Sequence, residues 1–165
     1  MKRSKVVVCD SSPLIFLAKM DCLDLIPQIM NREIHVLSDV VSELFAKTTH
    51  SGEFSRLKSF LEGTRIVDYT DEKSHPSKLS SVDFASLAYS LKIKAEILLV
   101  DERLLRRAAI ENKIRVMGCL GILLTAHDQG LKSKQWTKNK IEQAMTIHGL
   151  RIAVSLYGQI LKRLD

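Results

Sequence analysis

The chain has 165 residues, 45% of them hydrophobic and 27% charged, which suits one folded domain with a real core and excludes a disordered or fibrous chain. No apolar run approaches the ~20 residues of a membrane span, and the basic start over 1–5 leads straight into a strand pattern, so a cytoplasmic protein is expected. A net charge of +6 is compatible with a polyanionic partner, while 5% aromatic residues argue against recognition built mainly on base stacking.

Residues 6–9, Val-Val-Val-Cys, form an apolar run that suits a strand buried on both faces of a parallel sheet. Asp10 follows at once. Ser12 suits a helix N-cap and Pro13 the first helical position, so a helix is predicted over 13–19. Asp10 then stands at a strand-to-helix turn past the carboxyl end of the strand, where open α/β sheets bind ligands. An Asp there can equally serve the turn alone. Asp21 opens a second short helix that Pro27 ends or kinks. A strand over 34–37 leads to Ser38 as cap of a helix with Val40, Val41, Leu44 and Phe45 on one side and Glu43 on the flank. Another helix over 52–61 turns Phe54, Leu57, Phe60 and Leu61 inward and is closed by Gly63. A short strand covers 65–68.

Residues 69–78, polar and holding Pro76, read as a loop. A helix over 82–93 follows, with Ser80 and Asp83 at capping-box spacing. On it Asp83, Ser86 and Ser90 fall on one narrow polar stripe ending near Lys94. The stripe is either a solvent-facing edge or a functional line on a mostly buried helix. Residues 97–100 are the second clear buried strand. Asp101 comes next, then a helix with Leu104, Leu105, Ala108 and Ala109 inward and Arg103, Arg106 and Arg107 outward. After a strand over 114–117, Gly118 and Gly121 bracket a turn into a helix ending near His127. From 130 onward the character changes: Lys132, Lys134, Lys138 and Lys140 surround Trp136, and helices over 138–147 and 154–164 flank Gly149. The chain is thus expected to be a single domain over 1–165, an α/β body over 1–129 with a helical hairpin over 130–165 packed on it. Cys9, Cys22 and Cys119 lack a C-x-x-C pattern and read as reduced, packed thiols, and the histidines show no metal-ligand spacing.

Strand–helix alternation predicts a parallel sheet with helices on both faces. Every strand then ends, and every following helix begins, at one edge. Asp10, Glu43, Asp83 and Asp101 are all predicted at that edge. Each has an ordinary reading of its own, as a cap, a helix-dipole partner or a surface residue. Gathered, they repel one another unless a cation neutralises them. Hard oxygen ligands without His or Cys suit Mg²⁺ or Mn²⁺, one or two ions, and such ions promote phosphodiester hydrolysis. A carboxylate site in a basic protein is what a nuclease needs. Arg103, Arg106, Arg107, Lys132 and Lys134 are candidate phosphate contacts, although a solvated basic face explains each as well.

The stretch Asp10-Ser11-Ser12-Pro13-Leu14-Ile15 resembles the opening motif of PIN-domain (PIN-like) nucleases. The spacing to Glu43, to Asp83 with Leu87-Ala88, and to Asp101 after a strand fits the same family. Residues 98–103 with 116–124 are similar to its second signature, and Gly149-Leu150-Arg151-Ile152 with Leu156-Tyr157 and Ile160-Leu161 to its C-terminal hairpin. Most similar is a prokaryotic subfamily related to toxin–antitoxin ribonucleases. The resemblance implies a three-layer α/β/α PIN-like fold with a central, mostly parallel sheet. It also implies a Mg²⁺- or Mn²⁺-dependent endoribonuclease, with Asp10, Glu43, Asp83 and Asp101 as catalytic and metal-binding acids and Ser12 in support. RNA as substrate, a small antitoxin protein and a homodimer are the implied partners. Two positions depart from the pattern. Ala85 stands where the subfamily often has a second acid, and Leu99 where many members have Thr or Ser. The alternative is a catalytically weak or inactive PIN-fold module that binds RNA or protein.

Overall fold

A computed structural model describes residues 5–71 and 78–165. Its five strands are β1 (Val6–Cys9), β2 (Glu33–Leu37), β3 (Arg65–Val67), β4 (Ile97–Leu99) and β5 (Arg115–Met117). They form one sheet in the order β3-β2-β1-β4-β5, and each neighbouring pair is parallel. The body helices are α1 (Ser11–Lys19), α2 (Leu25–Met30), α3 (Ser38–Lys47), α4 (Ser51–Glu62), α5 (Ser81–Lys92), α6 (Arg103–Glu111) and α7 (Cys119–Asp128). Two C-terminal helices follow, α8 (Lys134–Thr146) and α9 (Val154–Leu164). This is the α/β fold expected, a parallel sheet flanked by helices.

The central strands have no face for water. Val7, Val8, Cys9, Leu98 and Leu99 are fully buried, so crossover helices must cover both faces of the sheet. The chain builds outward from β1 through β2 to β3, then returns past β1 to lay down β4 and β5. Strand order therefore reverses between β1 and β4. That reversal opens the crevice where α/β sheets take their ligands. Cys9 pairs with Leu99, and the amide of Asp10 still donates to the Leu99 carbonyl at 2.9 Å. The two strands thus deliver Asp10 and Asp101 side by side at the carboxyl edge.

Several local expectations are corrected. α1 begins at Ser11, with Asp10 in the cap position, so Ser12 is not the cap and Pro13 is the third helical residue. Proline is tolerated there because first-turn amides have no intrahelical partner. Asp21 adopts a left-handed turn (φ 55°) instead of opening a helix, and Pro27 sits inside the first turn of α2 without ending it. The cap position of α3 is Leu37, with Ser38 already helical. Phe54 is 46% exposed and rests on the Phe45 ring, and Leu104 is 45% exposed. Gly121 lies within α7, where a Cβ would come 2.6 Å from Met117 Cγ. α8 starts at Lys134, capped by the Ser133 hydroxyl, a full turn earlier than the predicted 138. Of the loop expected over 69–78, residues 72–77, with Pro76, lie outside the described residues, as do residues 1–4 of the basic start. Among the described residues, no helix is long and apolar enough to cross a membrane.

The hairpin helices are fastened by polar contacts as well as by Ile141, Ala144, Ile160 and Leu164, which are buried. Lys140 Nζ donates to the Met20 carbonyl at 2.7 Å, so α8 holds the end of α1. Arg163 bonds Asp128, and Lys134 bonds Asp165.

Candidate functional site

Asp10 closes β1 and opens α1. Its side chain is 1% exposed, and Oδ1 is buried without a hydrogen-bond partner. Oδ2 accepts from the Ser12 hydroxyl at 3.3 Å. Burial, then the like charge of Asp83, push its carboxyl up to about 7; Glu43 adds to this, while the Ser11 amide and the Ser12 hydroxyl oppose it. A carboxylate so placed is costly unless something pairs with it.

Ser12 ties this turn to the next strand. Its Oγ accepts from the amides of Asp101 at 3.0 Å and Glu102 at 3.2 Å while donating to Asp10. One hydroxyl therefore links the ends of β1 and β4 across the crevice. Asp101 is oriented differently. Both its carboxylate oxygens accept from the Cys119 amide at the start of α7, at 3.1 Å each. Burial raises its carboxyl; the Cys119 bonds and the Arg106 charge pull the other way. The neighbouring Gly118 is there for space. A Cβ on it would stand 2.1 Å from Asp101 Oδ1, and its φ of −104° makes no demand for glycine.

Asp83 lies in the first turn of α5, where its amide is capped by the Ser80 hydroxyl at 3.1 Å. Burial raises its carboxyl, with Glu102 and Glu43 as repelling neighbours and Ser80 as the opposing hydrogen bond. The stripe below it is not a solvent edge: Ser86 and Ser90 are fully buried, and Ser86 Oγ has no partner. Glu43, in α3, is bonded by Lys47 one turn on. Asp10, Glu43 and Asp83 thus act on one another as carboxylates, whereas Asp101 takes its surroundings from α7 and Arg106. Glu102 also joins the group, a residue with no signal in the sequence beyond its place beside Asp101.

A family profile for the PIN domain, DUF3368, matches residues 6–165. The chain belongs to the PIN-domain family. Its fold is similar to that of a PilT N-terminus domain protein from the hyperthermophilic archaeon Sulfolobus solfataricus. The TM-score is 0.54 at 11% identity, covering 73% of this chain and 92% of that one. No functionally curated protein matches the chain. The fold of this PIN domain is therefore of nuclease type.

The donor set of this PIN domain is all oxygen, and Asp10 Oδ1 is an orphaned buried acceptor; both fit a hard divalent cation. Among the described residues, no three His, Cys, Asp or Glu side chains converge closely enough to hold a metal by themselves. An ion here would need water to complete its shell, as Mg²⁺ commonly does. His35 is committed elsewhere, its ring nitrogens bonded to Tyr89 and Glu33 at 2.8 Å each. Cys9, Cys22 and Cys119 are free and buried. A cavity of about 500 Å³ lined by Asp21, Pro27, Ile34, Arg56 and Phe60 includes none of the acids of the site.

The basic candidates separate. Arg103 is exposed in the first turn of α6. Arg106 turns back to the Val100 carbonyl at 3.3 Å, and Arg107 pairs with Glu111 at 3.0 Å. Lys132 lies over the Trp136 ring at 4.7 Å, and Lys134 is engaged with Asp165. Most of these cations have internal work, which sequence periodicity alone does not reveal.

Proposed function

We propose that this PIN domain is a divalent-metal-dependent endoribonuclease hydrolysing RNA phosphodiester bonds, with Asp10, Glu43, Asp83 and Asp101 as its acids and Mg²⁺ or Mn²⁺ as cofactor. Asp10 is the observation that carries this reading. It is a carboxylate buried to 1% exposure beside two other acids, with Oδ1 unpaired. A turn alone does not call for that arrangement, since any ordinary capping residue would avoid its cost. When bound, such an ion supplies a water nucleophile at neutral pH and stabilises the leaving oxygen.

The chain's own residues do the rest. Ser12 holds Oδ2 of Asp10, so that Oδ1 would meet a ligand in a fixed orientation. Asp83 and Glu43 add negative charge, and Asp101 is kept from rotating by the Cys119 amide. Arg103, exposed beside Glu102, is the cation best disposed for an RNA phosphate. A role as the toxin of a toxin–antitoxin pair, with a small protein inhibitor and a homodimeric state in the cytoplasm, extends the same reading.

The test is cleavage of single-stranded and structured RNA in Mn²⁺ or Mg²⁺. The wild type should cut and Asp10→Asn should not; equal cleavage by both overturns the assignment. A second reading is an inactive RNA- or protein-binding module. Two points favour it: no three ligating side chains converge among the described residues, and a buried alanine stands at position 85, where the resemblance to the subfamily implies a second acid. Calorimetric titration with Mn²⁺ separates the two, because the module should bind none at millimolar metal.

A further inference from the structure

We infer that Glu102 is a further oxygen donor of this site, through Oε1. The inference rests on the metal-dependent reading above and deepens it.

Glu102 is drawn to the site by its backbone. Its amide donates at 3.2 Å to Ser12 Oγ, the same hydroxyl that donates to Asp10. Residue 102 is therefore fixed relative to the Asp10 turn. Its side chain is fixed as well. Oε2 accepts from the Leu105 amide at 2.7 Å as the cap of α6, which leaves Oε1 without a partner among the described residues. The rotamer is already chosen, so engaging a cation would cost little further side-chain entropy.

The choice of residue is informative. Ser, Thr, Asp and Asn are the favoured helix caps, and any of them would satisfy the Leu105 amide with a shorter side chain. Glutamate caps while carrying a second oxygen farther out. Asp83 senses that charge: Glu102 is the foremost of the acids repelling it, ahead of Glu43. Asp83 in turn is the foremost acid acting on Asp10, whose Oδ1 is the buried orphan. Glu102 thus acts on Asp83, and Asp83 on Asp10, while Glu43 acts on both. Of these acids, Lys47 pairs with Glu43.

The test compares Glu102→Ser and Glu102→Gln with Asp10→Asn and wild type. Ser restores a favoured cap without a carboxylate, and Gln keeps an acceptor for the Leu105 amide. Mn²⁺ binding is read by calorimetry and electron paramagnetic resonance, and folding by metal-free thermal unfolding. The expected result is a metal-free Tm close to wild type for at least one Glu102 variant, with Mn²⁺ Kd weakened about 10-fold or more. Mn²⁺ affinity equal to wild type in a folded Glu102 variant, with binding lost in Asp10→Asn, overturns the inference and leaves Glu102 a cap alone. Failure of the wild type itself to bind Mn²⁺ overturns the nuclease reading, and the inference with it.

Discussion

The turns after β1 and β4 are alike in sequence: an apolar strand, an aspartate, then a helix. They end neighbouring strands at one edge, joined by the Ser12 hydroxyl, yet their carboxylates have different fates. Asp101 rests both oxygens on the first amide of α7, where helix-end N–H groups and the macrodipole favour an anion. Asp10 has one oxygen on Ser12 and one on nothing. Two aspartates at one sheet edge can thus be held in place by different means, one by a helix amide and one by a side-chain hydroxyl. Asp101 is oriented by the next helix while its oxygens keep further acceptor capacity, and Asp10 is left in a state that costs stability.

The strongest way to break that contrast is to remove the charge from Asp10 and follow stability with pH. Its folded carboxyl lies at about 7 against an ordinary 3.8. Between those values the folded chain holds a proton that the unfolded chain has released. Stability is therefore greatest below the ordinary value and is lost as pH rises through about 7. Asp83 and Asp101, raised in the same direction, add to the slope. In metal-free buffer, Asp10→Asn should raise stability at pH 8 by on the order of 2–4 kcal/mol and flatten the pH dependence of Tm. A variant less stable than wild type at pH 8, with the slope unchanged, would mean that Asp10 is satisfied in solution.

The second way acts on the other turn. Gly118→Ala sets a Cβ 2.1 Å from Asp101 Oδ1 and 3.3 Å from the Val100 carbonyl, so the carboxylate must leave the Cys119 amide. Overpacking of this kind costs about 1–3 kcal/mol. Chemical denaturation should register that loss, and the Cys119 amide should lose hydrogen-exchange protection. A neutral result would show that Asp101 is free to move, and the two turns would then be equivalent.

Much of this architecture was legible in the sequence, and the failures have physical causes. The runs Val6–Cys9 and Ile97–Leu99 announce doubly buried parallel strands because they contain nothing that tolerates water. Once the strands are parallel, the edge follows for Asp10 and Asp101. Ser80 was legible as a cap for the same local reason, as were the bounds of α9. Side-chain direction was not. Phe54 and Leu104 satisfy a helical apolar spacing but point outward, since periodicity gives a face only to within a residue. The turn of Asp101 toward α7 depends on where that helix begins, a tertiary fact. Glu102 was hidden because its meaning lies in the Ser12 hydroxyl, which comes from 90 positions away.

The comparison of the two turns continues at the far ends of the helices they open, where the smallest effect is expected. The last carbonyls of α1 are held from outside: Arg56 donates to Ala18 at 2.9 Å and Lys140 to Met20 at 2.7 Å. α6 closes on itself, Asn112 Nδ2 donating to the Ala108 carbonyl at 2.8 Å. The helix that carries the unsatisfied aspartate is thus the one clamped at its other end, and one of its two clamps, Lys140, comes from the lysine-rich segment around Trp136. Lys140→Met keeps the aliphatic stem and removes the donor, so it should cost about 1 kcal/mol and loosen the C-terminal turn of α1 in hydrogen exchange. Lys134→Met breaks only the exposed pair with Asp165 and should change stability by less than about 0.5 kcal/mol. If the two variants behave alike, Lys140 is an ordinary surface cation and the hairpin does not steady the Asp10 helix. If only Lys140→Met loosens α1, one segment serves the site by fixing the helix that presents its first acid, without touching the substrate.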